Sequence, residues 1–437
     1  MLQQYLMHQS EVTLGWQFFL PLAIMLLLIL LAVRVWVVVG IGALSMLYFS
    51  EVLPLTLLGE ALFDGVDSFA LIAVPLFILT GDVLVRTGLS NKLLDVAEAT
   101  MGSRRSGLGT STVLGCGFFA CISGSDAADA AAISRITIDR LVEKGYPRPY
   151  ACALVAAGAC TGVLIPPSIS YIIIGMVLGI SASTLFLAAA VPGVMILGTV
   201  MITNAVTNRI KGYENSLGGF SLQYWLKTVY DGRFALMIPF IILGGIYSGL
   251  FTPTESAAVA ALTTIIVGFC QKTLKLSDIP KMLETSAKVS GVIIPIIALS
   301  LPLAQTLASL QVPQAFVAFM TSLTTNPYLI ILIMIMILMI AGCVMETTPN
   351  IVILSPLLLP LALEIGMDEV HFCIFMITAL GIGFITPPLG LNLFVVSGVT
   401  QVPVVSISRY AVPFVLAMIL VVIVLGFVPG FSLWLLN

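Results

Sequence analysis

Charge is the property that this sequence lacks most clearly. Only 9% of its 437 residues are Asp, Glu, Lys or Arg, whereas soluble globular domains hold about a quarter. So few charged residues cannot cover the water-facing surface of a folded chain of this length, which excludes a soluble domain. The net charge of −3 and the lack of a long basic run also exclude a nucleic-acid-binding surface.

Paired cysteines and histidines are equally scarce. The seven cysteines are scattered and none forms a CxxC pair, so the sequence predicts neither a disulfide framework nor a zinc site. There are two histidines and no HExxH motif. A serine nucleophile needs a nearby base, and neither His8 nor His371 is expected near Ser123, which lies in the segment CISGSDAADAAA. These shortages argue against an intramembrane enzyme and predict no cofactor.

Apolar residues are abundant instead. They make up 59% of the chain, and the mean hydropathy is +1.14. A helix needs ~20 apolar residues to cross ~30 Å of hydrocarbon, and many such runs are present. The first run, 16–32, has no signal-peptide cleavage pattern and is predicted to stay as a helix. The sequence predicts an all-α integral membrane protein whose solvent is lipid.

The positive residues predict the topology, because Lys and Arg mark cytoplasmic loops. They fall in blocks near residues 86–105, 135–148, 209–233 and 272–288, and 289–408 contains none. One threading places every block inside and both termini in the periplasm, with an acidic outer loop at Glu60, Asp64 and Asp67. It has about ten full transmembrane helices, at about 16–33, 36–57, 68–86, 150–178, 184–208, 234–250, 254–271, 289–310, 371–398 and 410–430. Two re-entrant hairpins lie at about 107–148 and 328–369, and amphipathic helices are predicted on the cytoplasmic face at 212–232 and 273–288.

The sequence also repeats itself. Pro166-Pro167 in GVLIPPSI corresponds to Pro387-Pro388 in GFITPPLG, and 387 − 166 = 221. The same offset pairs Gly162 with Gly383 without a gap. In the threading each half holds five crossings and a hairpin, and an odd number of crossings inverts the second half. The predicted units are a first inverted repeat at 16–208, a cytoplasmic amphipathic linker at 209–233 and a second repeat at 234–430.

The paired prolines predict two broken helices, 150–178 and 371–398, because proline removes an amide donor and clashes with the preceding turn. Backbone groups freed at membrane depth must be satisfied by protein, water or an ion. Each break is therefore predicted to combine with a hairpin tip into an oxygen-only site for a small hard cation such as Na⁺. The predicted cation ligands are Ser123, Gly124, Ser125, Gly162, Pro166, Glu346, Thr347, Thr348, Gly383, Thr386 and Pro387.

No Lys or Arg occurs at either tip or break. An anionic substrate would then be held by helix N-termini and neutral side chains. The predicted substrate-binding residues are Ser125, Asp126, Ser168, Thr348 and Asn392. Glu346 is predicted to be functional because it is ionisable at membrane depth, whereas Asp129 is predicted to cap its own helix.

Several motifs together resemble one known family, the large membrane subunit (DctM type) of tripartite ATP-independent periplasmic (TRAP) transporters. They are CISGSDAADAAAISRITIDRLVEKGYPRPYACAL, IPPSI, FTPTESAAVAAL, METTPNIVILSPLLLPLA and GFITPPLGLNLFVVSG. The resemblance implies a Na⁺-coupled elevator transporter of the bacterial inner membrane, with a mobile transport domain, a fixed scaffold and two or more Na⁺ per cycle. It also implies a small four-helix membrane subunit (Q type), not fused to this chain, and a periplasmic binding protein (P type) that delivers an organic anion.

The chain departs from the family pattern at three places. Members commonly have Asp where this sequence has Glu346, Ser or Thr where it has Asp126, and Pro where it has Arg34. Proton coupling through Asp126, Asp129 or Glu346 stays an alternative to sodium, because carboxyl groups titrate and hydroxyls do not near neutral pH. A stand-alone organic-anion symporter and a passive channel also stay open.

Overall fold

The computed structural model describes residues 15–31, 33–103, 105–214 and 221–436, and these residues contain α- and 3₁₀-helices but no strand. The predicted periplasmic termini, Arg104 and residues 215–220 of the predicted linker lie outside these ranges. The all-α prediction is confirmed.

The helices up to Lys211 form the first half of the structure. In chain order they are α1 (Trp16–Leu30), α2 (Val35–Ser50), α3 (Thr56–Val66), a 3₁₀ turn (Phe69–Ile72), α4 (Ala73–Arg86), α5 (Leu89–Met101), α6 (Gly107–Ser123), α7 (Asp126–Glu143), α8 (Arg148–Ala159), a 3₁₀ turn (Cys160–Val163), α9 (Ile169–Leu178) and α10 (Ala182–Lys211).

The second half begins after the linker. In chain order its elements are α11 (Leu222–Asp231), α12 (Arg233–Tyr247), α13 (Pro253–Cys270), a 3₁₀ turn (Leu276–Asp278), α14 (Ile279–Ser309), α15 (Val312–Leu323), α16 (Pro327–Val344), α17 (Thr347–Glu364), α18 (Glu369–Gly383), α19 (Leu391–Thr400), α20 (Val404–Phe427) and α21 (Gly430–Leu433).

Seven helices of the described ranges are long and apolar enough to cross a membrane, or eight if the bent pair α11–α12 is one span. Two of the seven are α16 and α17, the arms of the second hairpin. Among the predicted full crossings, α1 and α12 have 15 residues and α2 has 16, fewer than the ~20 that a perpendicular crossing needs. Large apolar side chains such as Leu30 and Phe240 are exposed on the outside of the bundle, as expected where lipid replaces water.

The predicted repeat is visible in the helix boundaries. Both ends of α7 and α17 are related by the predicted offset, since 126 + 221 = 347 and 143 + 221 = 364. From α9 onward the offset is 222, since 169 + 222 = 391 and 182 + 222 = 404. Helices pack reciprocally across the halves: α7 contacts α19, and α9 contacts α17. Such reciprocal contacts are those of a pseudo-two-fold axis.

The buried side chains form one large and two small cores. The large core joins the hairpins, the broken helices, α10 and α20. A small core lies between α1, α2 and α14, around Met46 and Leu303. Another lies between α4, α13 and the start of α14, around Val83 and Met282. None of the described buried side chains of α1 and α2 belongs to the large core, and the second hairpin reaches their small core through Ile353 of α17.

Two predicted segments have a different secondary structure from the one predicted. The predicted acidic loop contains α3, which holds Glu60 and Asp64 and packs along α14. The predicted surface helix at 273–288 is mostly the start of α14, which continues without interruption to Ser309. Pro280 does not break it, because a proline in the first turn removes an amide that has no helical partner anyway.

A buried carboxylate, that of Glu214, forms hydrogen bonds at the base of the first hairpin. Glu214, which follows α10, accepts hydrogen bonds from the Leu108 amide at 3.0 and 3.2 Å and from the Tyr146 hydroxyl at 2.8 Å. Its own amide donates to Asn208 Oδ1 at 2.8 Å. Leu108 lies in the first turn of α6, where a negative charge is favoured by the helix dipole. Glu214 therefore connects the end of α10 to the first turn of α6, the first arm of the hairpin, and to Tyr146, which follows the second arm, α7.

We expect Glu214→Ala to destabilise the protein, because it leaves the Leu108 amide and the Tyr146 hydroxyl without their partner, at about 1–3 kcal/mol for each buried group. The measurement is the melting temperature of the purified protein in detergent. The matched control is Glu143→Ala, which removes an exposed carboxylate at the end of α7. Equal melting temperatures for the two variants would show that Glu214 does not stabilise the hairpin.

Candidate ion and substrate site

The tip of the first hairpin is a two-residue turn. α6 ends at Ser123, Gly124 adopts a left-handed conformation with φ +61°, and α7 begins after the extended Ser125. Glycine suits this position because it has no Cβ to clash there. The Ser123 hydroxyl donates a hydrogen bond to Asp129 and accepts one from the Ser125 amide at 3.2 Å. Three of the predicted cation residues thus lie around one hydroxyl.

The first broken helix packs directly against this tip. The Ile169 amide donates to the Gly124 carbonyl at 3.4 Å. A Cβ added to Gly162 would lie 2.6 Å from Asp129 Oδ2 and 2.8 Å from the Asp126 amide nitrogen. The structure therefore brings the predicted residues of the first tip and Gly162 together. The Pro166–Pro167 peptide bond, in the same break, is cis.

Two carboxylates are buried at this place without a cationic partner. Asp126 and Asp129 are 4% and 0% exposed, and neither forms an ion pair with a Lys or Arg of the described ranges. Oδ2 of each has no hydrogen-bond partner among the described residues. An unpaired charge buried in a low-dielectric site costs several kcal/mol, so this arrangement calls for a bound cation or a proton.

Asp129 does not cap its own helix, so that prediction is wrong. Its carboxylate reaches back to Ser123 at the end of the preceding helix, and no side chain caps α7 among the described residues. The left-handed turn at Gly124 folds the two helix ends together, which places Ser123 within reach of the first turn of α7.

The second tip has an asparagine at the position equivalent to Asp129, since 129 + 221 = 350. Asn350 Nδ2 donates to the carbonyls of Ala341 and Met345, each at 3.0 Å, and its Oδ1 is buried without a partner among the described residues. Each tip thus holds one unpartnered buried oxygen at the same repeat position. Asn350 was not among the predicted site residues, although the repeat offset from Asp129 identifies it.

The remaining predicted residues of the second tip divide between two environments. Thr347 and Thr348 are buried, whereas Glu346 is exposed and faces a cavity of about 680 Å³. Glu346 precedes α17 but makes no capping hydrogen bond.

The second break contacts its hairpin differently from the first. A Cβ added to Gly383 would lie 2.7 Å from Gly342, in the first arm of the second hairpin, whereas Gly162 contacts the second arm of the first. The Cys343 thiol donates to the Thr386 carbonyl at 3.2 Å, and the Thr386 hydroxyl donates to the Ile382 carbonyl at 2.8 Å. Gly383, Thr386 and the cis-bonded Pro387 therefore lie beside the end of α16.

The two breaks also touch each other. The Cys160 thiol donates to the Gly381 carbonyl at 3.1 Å, and these residues are equivalent in the repeat, since 160 + 221 = 381. Two equivalent residues can touch only close to the pseudo-two-fold axis. Asn392 Nδ2 lies 3.6 Å from Cys160 Sγ, and Asn392 also interacts with Asp126.

The predicted substrate residues are split by this geometry. Ser125 and Asp126 belong to the first tip, where Ser168 and Asn392 also lie, whereas Thr348 belongs to the second tip. The Ser168 hydroxyl accepts from the Ser170 amide at 3.2 Å and is fully buried. The described residues contain no group of three His, Cys, Asp or Glu side chains suited to a transition metal.

We expect Gly162→Ala to destabilise the protein by about 1–3 kcal/mol. The added methyl group would meet the backbone of Asp126, which cannot move without displacing the tip. The melting temperature in detergent measures the effect. Gly198→Ala on α10 is the control, because a Cβ there meets nothing within 4 Å. An unchanged melting temperature for Gly162→Ala would contradict the close packing of break and tip.

Comparisons with known proteins agree with this architecture. The family model for the DctM component of the tripartite ATP-independent periplasmic transporter matches residues 22–431. The chain is 37% identical over 397 residues to the C4-dicarboxylate TRAP transporter large permease protein DctM of Pseudomonas aeruginosa, covering 91% of this chain and 92% of that protein.

Two further proteins show the range of similarity. The isethionate TRAP transporter permease protein DctMQ of Oleidesulfovibrio alaskensis is 34% identical over 409 residues, which are 93% of this chain and 64% of that protein. The crystal structure of the YdaH transporter of Alcanivorax borkumensis shares the fold at 16% identity, with a TM-score of 0.62 over 96% of this chain and 100% of that one. The resemblance of the motifs is thereby confirmed. The chain belongs to the DctM family of large membrane components of tripartite ATP-independent periplasmic transporters.

Proposed function

We propose that this chain carries out sodium-coupled secondary active uptake of a small organic anion across the bacterial inner membrane. The observation that supports this most is the pair of unpartnered buried oxygens, Asp129 Oδ2 and Asn350 Oδ1, at equivalent positions of the two hairpin tips. A buried oxygen that accepts no hydrogen bond loses its hydration without compensation, which costs free energy. A hard cation bound to these oxygens would compensate for this loss at both hairpin tips.

The two cation sites differ in chemistry. The first combines Asp129 with Ser123, Gly124, Ser125 and the break at Gly162 and Pro166. The second combines Asn350 with Glu346, Thr347 and Thr348, and with the break at Gly383, Thr386 and Pro387. Each cation that enters gains ~2.3 kcal/mol per 100 mV of membrane potential. Two or more Na⁺ per cycle would therefore drive the accumulation of an anion of smaller total charge.

Substrate class follows from the relatives, which are named for C4-dicarboxylates and isethionate. Both are small organic anions, and we infer the same class for this chain. Ser125, Asp126, Ser168, Thr348 and Asn392 are the proposed contacts at the two tips. Delivery would come from a periplasmic binding protein, and the chain would work together with a small four-helix membrane subunit.

Movement would follow an elevator mechanism. The hairpins, the breaks and α10 share the large core, whereas α1 and α2 pack in a separate small core. α14 contributes to both, with Ile293 and Ile297 in the large core and Leu303 in the small one. A boundary between cores is where one rigid body can slide past another with the least loss of packing. The hairpins would move as the transport domain, and α1 and α2 would stay in place as part of the scaffold.

A stand-alone symporter driven by protons is the second candidate, and the buried carboxylates of Asp126 and Asp129 favour it. The two candidates differ in what they need. We would reconstitute this chain with its small membrane subunit and binding protein, and follow succinate and isethionate uptake under a sodium gradient at fixed pH. We expect uptake only with sodium and the binding protein. Uptake by this chain alone, or uptake that is unchanged without sodium, would support the second candidate.

We expect Asp129→Asn to raise the sodium concentration for half-maximal uptake by about tenfold or more, because it removes a charged ligand worth about 1.5–3 kcal/mol. Asp139→Asn is the control, because Asp139 is an exposed acid on the same helix that pairs with Arg148 at 2.9 Å. Sodium titrations of uptake at fixed pH measure both. An unchanged sodium dependence for Asp129→Asn would remove the first site from the proposal.

A further inference from the structure

A cavity of about 680 Å³ separates the tip of the second hairpin from the outer helices. Arg34 and Trp36 line it at the start of α2, Lys288 and Pro295 line it on α14, and Glu346 and Pro349 line it on the hairpin. This volume is in the range of small-molecule sites. The cavity lies between the core of α1, α2 and α14 and the hairpin that carries the second proposed cation site.

The cavity contains the positive charge that the tips and breaks lack. The chain has no Lys or Arg from 289 to 408, yet the fold brings Arg34 and Lys288 into the lining of the cavity that Glu346 also lines. These cations come from helices far away in the sequence, so the pattern around the tips alone could not reveal them.

The two cations are not equally available. Lys288 Nζ is paired with Glu284 Oε1 at 2.6 Å, one helical turn away. Arg34 is exposed and forms no ion pair with the residues that the structure describes. It lies just before α2, whose first turn contains no acid, and the helix dipole disfavours a positive charge at this end. An anion beside Arg34 would pair with its charge and would offset the unfavourable interaction with the helix dipole.

We propose that Arg34, supported by Lys288, binds the acid group of the transported organic anion from the scaffold side of this cavity. The ligand class is a soluble carboxylate or sulfonate, which the planar guanidinium can hold through two parallel hydrogen bonds. This rests on the proposed function, and it names the residues that would select an anionic substrate. It adds a positive charge to the contacts proposed at the two tips, which contain no Lys or Arg.

An anionic lipid headgroup shares this chemistry, and protection from iodide by phosphatidylglycerol would identify it. The Glu346 carboxylate lines the same cavity and repels a second anion unless a cation neutralises it, and the proposed coupling sodium at the second tip would do so. Anion and sodium binding are then linked through one cavity, which suits a transported substrate.

Trp36 makes the cavity accessible to a direct test. In the full chain carrying Trp16→Phe, Trp225→Phe and Trp434→Phe, Trp36 is the remaining tryptophan. We would measure its quenching by iodide and by neutral acrylamide in phosphatidylcholine nanodiscs, with and without succinate or isethionate. We expect Arg34→Gln to lower the iodide quenching constant several-fold and leave acrylamide quenching unchanged, while Arg34→Lys retains most of the iodide effect.

Lys281→Gln is the matched control, since Lys281 is an exposed cation on the same helix as Lys288 but does not line the cavity. It should change neither quencher. Iodide quenching that is equal in wild type and Arg34→Gln would overturn the proposal, and so would a larger loss in Lys288→Gln than in Arg34→Gln. The same quenching experiment is repeated in nanodiscs that contain phosphatidylglycerol. If this lipid protects Trp36 from iodide and neither succinate nor isethionate does, the cavity binds lipid and the proposal is overturned.

Uptake separates this inference from the function on which it rests. In the reconstituted three-component system, Arg34→Gln should raise the substrate concentration for half-maximal uptake about tenfold and leave the sodium dependence unchanged when it is measured at saturating substrate, because anion and sodium binding are linked reciprocally. Sodium-dependent uptake with an unaltered half-maximal concentration would overturn the role of Arg34 alone. Wild-type uptake that does not depend on sodium would overturn the coupling proposal. The quenching experiment would still show whether Arg34 binds an anion in the cavity.

Discussion

A helix that is interrupted inside a membrane exposes backbone groups that lipid cannot satisfy, and this constraint shapes the whole structure. The first break is buried throughout, and the Ile169 amide is satisfied by the Gly124 carbonyl of the hairpin tip. The two breaks also support each other, through the Cys160 thiol and the Gly381 carbonyl. The hairpins are needed to cover the breaks, and the breaks in turn hold the tips in place. The cation sites that we propose lie where the contacts between tips and breaks leave a buried oxygen without a partner among the described residues.

The parts of the fold that follow from this constraint were predictable from sequence. Proline pairs and glycines mark the breaks and tips, and the repeat offset locates one half from the other, so the predicted hairpins agree closely with the helices. Helices α5 and α15 were missed because they are short and amphipathic and resemble loops between longer apolar runs. The start of α14 was misassigned because its charged residues look like a surface helix, although charges at four-residue spacing, such as Glu284 and Lys288, also suit a continuous one.

The sequence indicated which segments form the candidate site, but it did not indicate which of their atoms are in contact. A carboxylate in the first turn of a helix can bind its own amides or a neighbouring helix end, and only the turn at Gly124 decides this for Asp129. Residues far apart in the sequence, such as Arg34 and Glu346, line the same cavity because of the tertiary packing of their helices. A local sequence pattern does not reveal such packing. The repeat is also less symmetric in space than in sequence, since Gly162 and Gly383 contact different arms of their hairpins.

The contact between Cys160 and Gly381 has a consequence for the evolution of the chain. After a gene duplication the two halves can diverge independently almost everywhere, because equivalent residues are far apart in space. At the pseudo-two-fold axis a residue meets its own counterpart, so a larger side chain in one half must be accommodated by the other. Substitutions at these two positions are therefore expected to occur in pairs. The residues at the axis should then stay more similar between the two halves than residues elsewhere.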